Sequence, residues 1–150
     1  MYTIHAAAAV FATIGAATIS LAGNSHADVF SQQFQSPSGD VSCNLVYYPP
    51  LASRLVGKNF VQCDVANHSW VHPQPPPVGR TATSTFVLMR GRAPLVAYGP
   101  GAVANPDPMD DGEARSGGAI TCSSEQSAMK CTDASTGHFF RVSQESYELG

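Results

Sequence analysis

Three groups of side chains in this 150-residue sequence have types and spacings that chemistry could use. His68 and His72 are four apart, the spacing that sets two imidazoles over one helical turn to hold a transition metal. Trp70 and Val71 lie between them and Pro73 follows, and proline removes a helix donor, so the segment reads as extended with two loop histidines and no third ligand nearby. Asp107, Asp110, Asp111 and Glu113 crowd four carboxylates together, as calcium prefers. The run does not follow the D-x-[DN]-x-[DN]-G loop and holds Pro106 and Pro108, so the alternative is a solvated polar loop. His138, after Gly137 at a strand start, could serve as a general base oriented by Asp133 or Asp64. Yet no G-x-S-x-G elbow is present and no serine stands out as a nucleophile. The plainer reading lets His138 bond a turn while Phe140 and Val142 enter the core.

A binding surface needs other residues. Trp70 precedes Pro73–Pro77, and Tyr48 points outward if its neighbour Tyr47 points inward, because a strand alternates its faces. Exposed aromatics beside a rigid proline loop are what a glycan, lipid or protein partner would meet, with His68 and His72 at the margin. A lone tryptophan is more often part of a core.

The elements that must position these groups are organised by a repeat. Ser36-Pro-Ser-Gly-Asp-Val-Ser-Cys43 returns as Ser116-Gly-Gly-Ala-Ile-Thr-Cys122, with a cysteine four residues after a glycine each time. Cys63 follows the first copy and Cys131 the second. Four cysteines allow three pairings. Strand phase favours Cys43–Cys63 and Cys122–Cys131, since Val41, Cys43 and Leu45 share a face, as do Val61, Cys63 and Val65. A four-cysteine zinc site would need a C-x(2–4)-C knuckle, and none is present.

Residues 6–23 are apolar or small, and Ser25 and Ala27 stand where a signal peptidase reads small side chains. The expectation is a signal peptide over 1–27 and an exported domain over 28–150, with disulfides formed in an oxidising compartment. An uncleaved anchor is the alternative, weakened by the Ala, Gly and Thr content and the lack of a following basic cluster. After cleavage no stable membrane span remains. Net charge is -3 and only 13% of residues are charged, which argues against nucleic acid as a partner.

With 13 Gly and 11 Pro the chain is rich in turns. Short β-patterned runs fall at 29–35 (Phe30 and Phe34 inward), 40–48, 59–66, 81–89, 93–98, two within 118–132, 138–143 and 146–149. No 3.6-residue period competes with them. The expectation is an all-β, antiparallel, disulfide-stapled sandwich or barrel of eight or nine short strands.

The residues Phe34-Gln-Ser-Pro-Ser-Gly-Asp-Val-Ser-Cys43, Gly118-Ala-Ile-Thr-Cys122 and Thr136-Gly-His-Phe-Phe140 resemble the pattern of small exported mycobacterial and actinobacterial proteins with a domain of unknown function. That pattern carries Asn at position 40 and Gly at position 139, and often a further cysteine pair in the middle of the chain, where this sequence has none. The resemblance implies export and a stapled β domain but no activity or cofactor. The expected function is therefore a secreted, non-enzymatic binding module at the cell envelope or outside the cell, its partner a protein, glycan or lipid. A small hydrolase using His138 and a calcium-stabilised structural domain are the alternatives.

Overall fold

The computed structural model describes residues 29–49, 58–79, 83–101 and 104–150. The expected signal peptide and most of the Pro49–Lys58 loop lie outside the described residues. Within them the chain is all-β, with eleven strands: β1 Phe30–Gln35, β2 Val41–Tyr47, β3 Phe60–Val65, β4 Thr83–Met89, β5 Leu95–Gly99, β6 Asp107–Pro108, β7 Ala114–Gly117, β8 Ile120–Glu125, β9 Ala128–Asp133, β10 Phe139–Val142 and β11 Tyr147–Leu149. Two of these exceed the eight or nine expected. β6 is a two-residue strand inside the acidic run, and β7 is a short polar strand with no β-branched residue.

The strands form two sheets, in the order β5-β4-β3-β2-β1-β6 and β11-β10-β9-β8-β7. Every pairing is antiparallel except β1–β6, which is parallel. The sheets form a sandwich, and no closed barrel is seen among the described residues. The inner faces meet in one core that takes Phe34, Leu45, Val61, Phe86 and Leu88 from the first sheet and Ile120, Met129, Phe140 and Val142 from the second. Alternation along each strand accounts for this: Cys43, Cys63, Phe86 and Val96 are direct cross-strand partners and all face inward. Phe34 obeys the phase at 1% exposure, but Phe30 is 46% exposed. It lies on the same side of β1, at the strand's outer end.

The two copies of the repeat become one hairpin in each sheet. β2–β3 is closed by Cys43–Cys63 and β8–β9 by Cys122–Cys131, each bond joining residues directly opposite in the register. This is the pairing that strand phase favours. The two bridges touch through the core, Cys63 Sγ lying 3.9 Å from Cys131 Sγ. The repeated glycine has a physical reason as well. Gly39 and Gly118 both adopt positive φ (79° and 59°), where a side chain is strained. At Gly118 a Cβ would also collide with Asn59 Nδ2 and come within 2.6 Å of the Tyr47 ring.

Residues 66–79, between β3 and β4, run as irregular chain across one end of the sandwich and tie its sheets together. Ser69 N–H donates to the carbonyl of Gln144 (2.8 Å), and the Gln144 amide donates to the carbonyl of Ala66 (3.0 Å). Trp70 wedges between the sheets, edge-on to Phe86 and Tyr147, while its Nε1–H donates to the Ser143 carbonyl (3.0 Å). Pro73–Pro77 beyond it stays exposed.

Candidate functional site

The same end of the first sheet holds a cavity of about 470 Å³. It lies where β2 begins, β3 ends and β4 begins, and its walls include Asp40, Ser42, Asp64, His68 and Ser84. Register explains the grouping. Ser42, Asp64 and Thr85 are cross-strand neighbours on the outer face, one residue out of phase with the inward Cys43, Cys63 and Phe86. Val65 and Ser84 form the next pair and face inward. The cavity thus takes side chains from both faces of a sheet margin.

Asp64 is its buried acid, with 3% of its surface exposed. The Thr85 hydroxyl donates to Oδ1, and the Gln62 amide lies 3.5 Å from Oδ2. Burial pushes the Asp64 carboxyl above its ordinary value of 3.8, and these two hydrogen bonds oppose the rise only in part. Beside it, His68 Nδ1–H donates to the carbonyl of Trp70 (2.9 Å), which leaves Nε2 to accept from the Ser84 hydroxyl (2.6 Å). The indole of Trp70 stacks on the His68 ring at 3.6 Å and fixes its plane.

A second cavity, of about 350 Å³, lies at the opposite end of the same sheet. Tyr48 is on its wall, half-buried, so the structure separates Tyr48 from Trp70 by the length of the strands. Trp70 is itself packed against the core and is not a free surface aromatic. His72 does not join His68 as a ligand pair. The Gln74 N–H donates to its Nδ1 (3.0 Å), its Nε2–H donates to the Ala97 carbonyl (3.1 Å), and its ring stacks on Tyr98 at 3.8 Å.

The acidic run is bonded within the protein. Glu113 pairs with Arg115 (2.7 Å) and accepts from Asp110 N–H (2.9 Å), while Asp111 accepts from Gln126 N–H (2.6 Å). Asp107 lies in β6 against Phe34. Among the described residues no group of three or more His, Cys, Asp or Glu side chains converges as a metal site would require. His138 Nδ1 meets the carbonyl of Gly150 (3.1 Å), and His138 lines neither cavity. Asp64, one of the two carboxylates considered for it, belongs to the other sheet.

Asp133, the other, is spent on structure. Its side chain is fully buried and accepts from Gly91 N–H (2.6 Å), Ser135 N–H (2.9 Å), and the hydroxyls of Ser135 (2.6 Å) and Thr136 (3.1 Å). Desolvation alone would raise this acid, but the hydrogen bonds outweigh it and hold the carboxyl below 3.8.

The two aspartates therefore respond to pH with opposite sign. For Asp64 the folded state binds the proton more tightly, so its contribution to stability falls as pH rises from 3.8 through the raised value. For Asp133 the unfolded state binds it more tightly. Its contribution is fully present above 3.8 and is lost as pH falls through the lowered value. Asp64→Asn is expected to melt above the wild type at pH 7 and to lose that advantage in acid. Asp133→Asn turns an amide against four donors and is expected to melt well below the wild type at pH 7, the gap narrowing in acid. Thermal midpoints from pH 3 to 8 check both.

The sequence marks Asp64 and His68 for separate reasons and gives no sign that they meet, and nothing in it marks Ser84. A buried-polar signal was present: Asp64 follows Cys63 in a strand whose other outward residues are Phe60 and Gln62. Comparison with protein-family models, with curated proteins and with solved structures finds no match to this chain.

Proposed function

We propose that the protein is a secreted, non-enzymatic binding domain of the cell envelope or its surroundings, and that the Asp64 cavity is its ligand site. The supporting observation is the cavity itself, which sets carboxylates, hydroxyls and an imidazole around about 470 Å³ on a scaffold fixed by two disulfides. Such donors and acceptors suit a small polyhydroxylated ligand, a sugar unit before a lipid tail. Two disulfides suit an oxidising, extracellular location. No helix among the described residues is long and apolar enough to cross a membrane. The resemblance to exported actinobacterial proteins points to the envelope.

The test is a titration of the oxidised protein with soluble cell-wall oligosaccharides, followed by amide chemical shifts. Saturable shifts at Ser42, Asp64 and Ser84, weakened about tenfold by Asp64→Asn, are expected; tenfold corresponds to about 1.4 kcal/mol. No saturable change with any hydroxylated probe at millimolar concentration would sink the reading.

One geometry favours a second reading. A hydroxyl within 2.6 Å of an imidazole, with the far ring nitrogen held by a carbonyl, is the arrangement of a serine and its general base. The hydrolase alternative thus passes from His138 to Ser84 and His68. Hydrolysis of an activated ester that vanishes in Ser84→Ala and survives in His138→Ala would establish it.

A further inference from the structure

The opposite end of the first sheet carries a second site of different chemistry, beyond the function proposed above. Its cavity is lined by Tyr48, Phe60 and Met89 as an apolar wall, and by Lys58, Arg90 and Arg92. Three of the chain's eight cations thus meet at one cavity of a protein whose net charge is -3. Ten of the eleven acids fall within the described residues, and none of them pairs with these three cations; the ion pairs there are Arg115–Glu113 and Arg141–Glu125.

Asn59 also lines the cavity and ties it to the second sheet, its Nδ2 donating to the carbonyl of Gly117 at 2.7 Å. The apolar wall continues outward, since Met89 is 38% and Leu95 44% exposed on the same sheet face.

We propose that this cavity binds an anionic amphiphile: a phosphodiester held by Lys58, Arg90 and Arg92, and carbon chain lying along Met89 and Leu95. Cations with no acidic partner among the described residues select the anion. The apolar face beside them selects a lipid over a free phosphate ester.

The test uses the full oxidised chain and short-chain lipids as monomers, below their micellar concentrations, with amide shifts as the readout. Dihexanoyl phosphatidylglycerol is expected to saturate shifts at residues 58–60 and 89–92, and to weaken as salt is raised. Arg90→Gln with Arg92→Gln changes two exposed side chains and leaves the core intact. The pair is expected to weaken binding about tenfold, an effect that any contribution from the apolar N-terminal residues 6–23 cannot mimic. Equal binding of the zwitterionic phosphatidylcholine, or equal binding by the double variant, overturns the proposal. Glycerol phosphate binding as tightly as the lipid overturns it too, since the site would then take the free ester.

Discussion

Trp70→Ala is expected to lower the thermal midpoint by roughly 10 °C. Removal of a packed tryptophan costs about 3–5 kcal/mol, and Trp70 is only part-buried, so about 3 kcal/mol is the reasonable figure. At roughly 2–4 °C per kcal/mol for a domain of this size, the shift follows. The cause is its position. The ring touches Phe86 of one sheet and Tyr147 of the other, at centroid distances of 5.6 and 4.9 Å, so its removal opens a gap between the sheets. Trp70→Phe keeps most of the apolar contact and loses the bond to Ser143, so about 1–1.5 kcal/mol is expected. A midpoint unchanged in Trp70→Ala would mean the indole is a surface group after all, and the sequence-based reading of Trp70 as a ligand contact would return. Because Trp70 also stacks on His68, its removal should loosen the His68–Ser84 contact.

Opening either disulfide by paired serine substitution is expected to have a comparable effect, with a defined order. Cys43 and Cys63 are 20 residues apart, Cys122 and Cys131 only 9. Loop-closure entropy then gives about 3.3 kcal/mol for the first bond and about 0.7 kcal/mol less for the second. Denaturant unfolding of each paired variant measures this. The larger loss should fall on the β2–β3 hairpin. A larger loss on β8–β9 would show that its native context outweighs chain entropy.

Much of the fold is legible in the residues. The alternation through Val41, Cys43 and Leu45 dictates the inward face, and the facing alternation in β3 brings the cysteines opposite each other. The repeated glycines mark turns because the backbone there needs positive φ. β6 and β7 were not legible. Asp107-Pro108 has no strand propensity and is recruited as an edge by the free side of β1, while Ala114–Gly117 is held by pairing with β8. Phe30 illustrates the limit of periodicity: phase assigns a side, and only the third dimension says whether anything covers it.

The site was legible in parts. Each of Asp40, Asp64, His68 and Ser84 is an ordinary residue of a turn or strand end, and their union depends on four chain segments meeting at one margin. The cationic cavity is the same kind of case, with Lys58 far from Arg90 and Arg92 in sequence but joined through the pairing of Phe60 with Met89. Trp70 pointed the other way. Its proline-rich neighbours suggest exposure, and its packing comes from Phe86 on the next strand and from Ser143 and Tyr147, more than seventy positions on.

The contact between the two disulfides has a consequence for how the protein acquires them. All four sulfurs lie at one point of the core, and thiol–disulfide exchange needs only a thiolate within reach of a disulfide sulfur. Reducing Cys43–Cys63 leaves Cys63 3.9 Å from Cys131, so an opened bond in one sheet faces an intact bond in the other. In the folded chain with one bond open, the same closeness sets a free thiol of one hairpin beside the disulfide of the other, so exchange has a route between the hairpins. The midpoint of this core is thus a point where thiol–disulfide exchange can cross from one sheet to the other, as well as a place where side chains pack.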